Sequence, residues 1–167
     1  MNGIEVQLID MLLRREQRAI TQNTLIHEHS CPVISFCMNI PGPIKTNEKI
    51  RAAFEEGKSE LLTALALEHA EILQSEETHE NTGDELILAV RSSAIRTKEL
   101  TSQIEEHHPL GRLFDMDVID EQGNKLSRPV YRKCLICARQ AQECARARTH
   151  SVAEMQKAID TMLEQIR

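Results

Sequence analysis

The chain of 167 residues has 20 basic and 26 acidic side chains, a net charge of −6, and is 41% hydrophobic and 28% charged. That is the composition of one water-soluble globular domain, spanning 1–167 and long enough to bury roughly 70% of its unfolded surface. One Tyr, three Phe and no Trp, together with the negative charge, exclude a nucleic-acid partner gripped by base stacking or by a general basic surface.

In chain order, Ile4, Leu8, Met11, Leu12, Arg15 and Ala19 recur at helical spacing and predict an amphipathic helix over 4–27, with Arg14, Arg15 and Arg18 breaking into its polar side. "VISFCMNI" after Pro32 reads as a buried strand. "PGP" at 41–43 ends it, because two prolines around a glycine continue neither strand nor helix. A second helix is predicted from Asn47 to Gln74, weakened in the middle by Gly57, followed by a loop over "SEETHENTGDE" and a strand over "LILAV". Ser92 or Ser93 caps a third helix running to Glu106, where "HHP" stops it. "GRLFDMDVID" (111–120) is a strand that returns through the turn "DEQGNK" as a hairpin. Ser127 and Pro129 suit the start of another helix, and the Ala, Arg and Gln content of 134–148 reads as one continuous helix. Ser151 and Glu154 have capping-box spacing and open a last helix to the C-terminus, with Val152, Met155, Ile159, Leu163 and Ile166 on one side. The sum is an α+β domain: a small, mostly antiparallel sheet of three to four strands packed with five to six helices.

Five cysteines, no signal peptide and no membrane-length apolar run predict a reduced, cytoplasmic protein without membrane contact, its cysteines thiols or metal ligands. Charge is uneven. Seven acids and no Lys or Arg lie between Glu68 and Glu85, whereas Arg128 to Arg148 holds six basic residues against Glu143 alone. One surface repels anions and another collects them.

Strands are poor in Asp, yet strand period places Asp115 and Asp117 on one face with Leu113 and Ile119. Either the strand is an edge blunted by water-facing acids, or the pair holds a divalent cation together with substrate phosphates. "HHPLGR" just before it adds two imidazoles and Arg112, a mix suited to phosphate, with His107 or His108 a candidate general base. Cys134, Cys137, Cys144 and His150 have a zinc-like order, C-x2-C-x6-C-x5-H. On one continuous helix, however, Cys137 and Cys144 would stand about 10.5 Å apart along the axis. That disfavours zinc and makes the thiols a packed small-residue stripe. Arg128, Arg132, Arg139, Arg146 and Arg148 wind around the same helix, as a solvated surface, a polyphosphate clamp or a docking face for an acidic protein.

Four segments carry a family likeness: "LLRREQR" (12–18), "SFCMNIPGPIK" (35–45), "HHPLGRLFDMDVID" (107–120) and "LSRPVYRKCLICARQAQECARARTH" (126–150). Over nearly its whole length the chain resembles the citrate lyase holo-acyl-carrier-protein synthases, also called apo-citrate lyase phosphoribosyl-dephospho-CoA transferases. The resemblance implies transfer of a phosphoribosyl-dephospho-CoA group from triphosphoribosyl-dephospho-CoA to a serine on the acyl-carrier subunit of citrate lyase, with release of pyrophosphate. It implies Mg²⁺ or Mn²⁺ at Asp115 and Asp117, and proton removal by an aspartate or His108. Donor and acidic carrier would meet Arg14, Arg15, Lys45, Arg112, Arg128, Arg132, Arg146 and Arg148. A nucleotidyltransferase-like fold is a further expectation, although "QIEEHHPLGR" holds no Gly-Ser turn before the aspartates; Asp120 is the candidate third metal carboxylate. The alternative is a non-catalytic assembly factor docking an acidic carrier protein through the arginine-rich helix.

Overall fold

The computed structural model describes residues 1–165. Its helices are α1 (Leu8–His29), α2 (Glu48–Leu67), α3 (Ala94–His107), α4 (Ala141–Ala147) and α5 (Val152–Leu163). The strands β1 (Val33–Met38), β2 (Glu71–Glu80), β3 (Gly83–Arg91) and β4 (Phe114–Ile119) form one open antiparallel sheet in the order β2-β3-β1-β4. The expected α+β class holds, with five helices and four strands among the described residues.

Period two divides the sheet cleanly. Ile34 and Phe36, Leu86, Leu88 and Val90, and Phe114, Met116 and Val118 point to one side and form the main core with apolar residues of α2, α3 and α5. Phe36 stacks on Phe54 at 4.9 Å and meets Phe114 edge-on at 5.5 Å. A Cβ on Gly57 would stand 2.7 Å from Phe36, so the glycine in α2 makes room for this aromatic cluster. The opposite side carries a smaller cluster, Val33, Ile87, Ala89 and Ile119 beneath Leu25 and Ile26 of α1. Beyond it the same face turns polar: Ser35, Cys37, Glu85, Asp115 and Asp117, with Cys37 paired in register to both Glu85 and Asp115.

That polar half explains α1. The helix starts at Leu8, not residue 4, and turns Arg14, Arg18 and Gln22, spaced at i, i+4 and i+8, toward the sheet. Arg14 and Arg18 both bond Glu85, and Gln22 donates to Ser35 at 2.8 Å. The apolar stripe expected to be buried is instead exposed, with Leu8 75% and Leu12 49% accessible.

Four further expectations are corrected. The second helix ends at Leu67, and residues assigned to its end and to a loop form β2. His69, in the left-handed region at φ 54°, lets Ala70 N–H reach the Leu65 carbonyl at 3.0 Å and His69 N–H the Ala66 carbonyl at 3.0 Å, a Schellman stop without glycine. No helix begins at Ser127, and the continuous helix over 134–148 does not exist: only Ala141–Ala147 is helical, preceded by a loop closed by a bridge between Lys133 and Gln140. The returning hairpin strand reduces to a single bridge, Ile119 to Lys125. The caps hold as read: Ser93 accepts from Arg96 N–H, and Ser151 and Glu154 bond reciprocally. Ile166 lies outside the described residues.

Gly111 fixes where β4 begins. It opens a 3-10 turn (Gly111–Leu113) pressed against the end of α3, and a Cβ there would lie 2.3 Å from the Glu105 carbonyl oxygen. Backbone cannot yield as a side chain does. Gly111→Ala is therefore expected to destabilise the fold by about 2–3 kcal/mol, read as a lower midpoint in urea unfolding.

Candidate active site

β4 is an edge strand, but its outer groups are satisfied by side chains. Met116 N–H donates to Glu105 Oε1 at 2.8 Å, Lys98 Nζ donates to the Met116 carbonyl at 3.3 Å, and Arg132 donates to the Phe114 carbonyl. Glu105 and Lys98 sit seven residues apart on α3, two turns along one helical face. Glu105, 4% exposed, also pairs with Arg132 at 3.1 Å and Arg128 at 3.3 Å. Burial pushes its carboxyl up, opposed by Arg132 and the Met116 N–H, and burial pushes the Lys98 ammonium down. The segment after β4 is thereby fastened along the strand edge.

Asp115 and Asp117 emerge beside this seam, on the face opposite the core. They line a cleft of about 470 Å³ with Lys125, Arg128, Arg132 and Gln140. Lys125 Nζ lies 2.7 Å from Asp117 Oδ2. Burial lowers Lys125, but the two aspartates outweigh it and hold its ammonium above the usual value. Asp115 is pushed up, first by burial and then by the charge on Asp117. Cys37, across the ladder from Asp115, is pushed up to about 12 by burial and by that same carboxylate, so it stays a neutral thiol directed at Asp115 Oδ2, 3.9 Å away. Two carboxylates that crowd each other in a cleft lined by cations suit a divalent cation shared with substrate phosphates. β1 offers Ser35 and Cys37 at the adjacent positions, and no third carboxylate.

Two neighbouring clefts share lining residues with the first. Asp115 also lines a small one of about 140 Å³ with Arg15, Arg18 and Lys45. Arg132, Ala141 and Gln142 are shared with a larger, mostly apolar one of about 700 Å³ that holds Arg112, Arg148, Leu135, Val152 and Met155. Arg112 is pushed down by burial and then by Arg132, and Lys45 by burial and then by Arg15, so like charges crowd each other in both clefts.

Not every sequence candidate arrives here. Arg14 is taken up by Glu85 at 2.6 Å and Thr78 at 2.6 Å. Arg146 stands exposed on α4 and lines none of these clefts. Asp120 is not a metal candidate by position: its carboxylate accepts from Asn124 N–H at 2.8 Å and Gln122 N–H at 3.0 Å and organises the turn. His108 accepts the Leu110 N–H on Nδ1 and packs on Phe114 at 4.9 Å, which belongs to the core side of β4, away from Asp115. It lines a separate cleft with His107 and residues of α2 and α3. Nearness in sequence misleads here, because the 3-10 turn comes between. Lys125, Glu105 and Lys98 were not anticipated; the helical spacing of the last two was the available signal.

The cysteines also move. With the helix broken, Cys134, Cys137, Cys144 and His150 converge, their donor atoms all within 4.8 Å of one another. Cys137 Sγ lies 3.5 Å from Cys144 Sγ and 3.4 Å from His150 Nε2. The objection from helical separation falls away.

An acidic pair, flanking cations and adjoining clefts form a pocket suited to group transfer. Residues 6–166 match the family model described as apo-citrate lyase phosphoribosyl-dephospho-CoA transferase. Proteins of that name from Escherichia coli O7:K1 and Shigella boydii serotype 18 are each 32% identical over 165 residues, covering 96% of this chain and 90% of theirs. One from Citrobacter koseri is 33% identical over 162 residues, covering 95% and 88%. The chain belongs to the apo-citrate lyase phosphoribosyl-dephospho-CoA transferase family, and no helix among the described residues is long and apolar enough to cross a membrane.

Proposed function

We propose that this enzyme transfers the phosphoribosyl-dephospho-CoA group from triphosphoribosyl-dephospho-CoA to a serine of the acyl-carrier subunit of citrate lyase. The observation that carries this reading is the Asp115–Asp117 pair facing a cleft with Lys125, Arg128 and Arg132. The serine hydroxyl attacks the 5″ α-phosphorus, a phosphodiester forms, the bond from that phosphorus to the bridging oxygen breaks, and pyrophosphate departs with the electron pair. A carboxylate of the pair takes the serine proton. Lys125, Arg128 and Arg132 meet the charge gathering on the leaving pyrophosphate. Asp115 and Asp117 would hold Mg²⁺ or Mn²⁺, which when bound supplies neutralisation of phosphate charge.

The large apolar cleft suits the dephospho-CoA arm, with Arg112 and Arg148 at its phosphates. Arg148→Ala is expected to raise the donor KM about tenfold, the equivalent of roughly 1.4 kcal/mol, whereas Arg146→Ala leaves it unchanged. Equal effects from both would show that surface charge in general, and not this cleft, selects the donor. The reading as a non-catalytic assembly factor loses its basis with the arginine-rich helix, since α4 spans seven residues and carries only Arg146.

A further inference from the structure

We propose that Cys134, Cys137, Cys144 and His150 bind one structural zinc ion that holds the 126–150 segment against the body of the protein. Tetrahedral zinc with Zn–S near 2.3 Å and Zn–N near 2.0–2.1 Å sets donor-to-donor edges of roughly 3.5–3.8 Å. The observed separations of 3.5 Å between the Cys137 and Cys144 sulfurs and 3.4 Å from Cys137 to His150 Nε2 match those edges.

Each donor is aimed by its own local structure. Cys134 N–H donates to the Arg139 carbonyl at 2.7 Å, closing a tight loop, and Ile136 N–H points at Cys134 Sγ at 3.5 Å. That amide, aimed at sulfur, supports thiolate charge. Cys144 comes from α4, which stops at Arg148 in the left-handed region at φ 47°; that turn brings His150 back over the loop. All four positions are filled by protein donors, so the site is closed and structural, with no open position for substrate or water. Three thiols and an imidazole in this arrangement select zinc over harder cations. A disulfide between two of the cysteines would leave the third thiol and the histidine without purpose.

The second, independent observation is what the segment lacks. From Glu121 to His150 the only buried residue is Cys144. Regular structure there amounts to α4 and isolated bridges. Thirty residues without a core of their own need a staple, and a metal ion supplies one. The staple also has a consequence at the active site. Arg132 lies two residues before Cys134 and Arg148 two before His150, so the ion fixes the arms that carry both arginines to the clefts.

The full-length protein, purified in reducing buffer free of chelators, is expected to contain about one zinc per chain by elemental analysis. Cys137→Ser and His150→Ala should lose it, and Cys31→Ser, which alters a cysteine buried in the small cluster elsewhere, should keep it. Should the ligand variants fail to fold, the wild type answers alone. Stripping the metal with a mercurial and chelator should raise amide exchange across 126–150 and leave β1, β3 and β4 protected, and Co²⁺ added back should give the absorption of tetrahedral thiolate cobalt. Reduced protein that neither carries zinc nor takes up Zn²⁺ or Co²⁺ stoichiometrically overturns the proposal. So does zinc retained by both ligand variants, or a Cys137–Cys144 disulfide in protein isolated anaerobically without reductant.

Discussion

Asp115→Asn should cut transfer by about a thousandfold while making the metal-free protein more stable, not less. The two effects share one cause. Burial and the charge on Asp117 hold the Asp115 carboxyl above its ordinary value of 3.8, so the ionised form is disfavoured by the fold and is kept for chemistry. A carboxyl raised in the folded state contributes stability that is complete below about pH 3.8 and is lost as pH rises through the raised value. Wild-type melting temperature should therefore fall over that rise by more than that of the variant. The two curves meet at acid pH and separate toward neutrality, with Asp115→Asn above. Mg²⁺ should raise the wild-type melting temperature by binding the native state and leave the variant unmoved. Asp117→Asn should lose activity likewise. If Asp115→Asn instead lowers stability at every pH, and activity falls only in proportion, the aspartate is a structural group.

The largest stability effect is expected at Glu105. Its carboxylate, 4% exposed, accepts the Met116 N–H and pairs with Arg128 and Arg132. Glu105→Ala leaves a strand-edge amide and two part-buried guanidiniums without their anion, a loss of about 3–5 kcal/mol. Urea unfolding should show it as a shifted midpoint. Glu105→Gln keeps an acceptor for Met116 N–H and should lose less, which separates the contribution of the strand edge from that of the charges. Both variants should also raise the donor KM, because Arg132 lines the two larger clefts only while Glu105 and the Phe114 carbonyl hold it there. An unchanged KM in a stably folded Glu105→Gln would mean that Arg132 does not depend on this anchor.

What could be read in the sequence was local and periodic. Strand alternation put Asp115 and Asp117 on one face, and side-chain capping placed Ser93 and Ser151, because both depend on neighbours a few residues away. β2 escaped because an edge strand reading "EILQSEETHE" has little apolar alternation to detect, its pairing being supplied by β3. The helical spacing of apolar residues in α1 showed an amphipathic helix but not which face meets the sheet; charged Arg14 and Arg18 do so because Glu85 lies on it. Ala, Arg and Gln favour helix over Cys134–Gln140, a preference that the tertiary convergence of four metal-type donors overrides. His108 lies near the aspartates in sequence, yet it packs on Phe114, which strand parity puts on the face opposite them. The adjoining clefts could not be seen at all, since Lys45, Asp115, Arg132 and Arg148 come from separate segments.

The most direct measurement incubates the protein with the apo acyl-carrier subunit of citrate lyase, triphosphoribosyl-dephospho-CoA and Mg²⁺, and follows carrier mass and pyrophosphate together. The carrier should gain one phosphoribosyl-dephospho-CoA group for each pyrophosphate released, with wild type and not with Asp115→Asn or Asp117→Asn. A carrier left unmodified by wild-type protein, or modified equally well by both aspartate variants, would contradict the site assigned to this reaction.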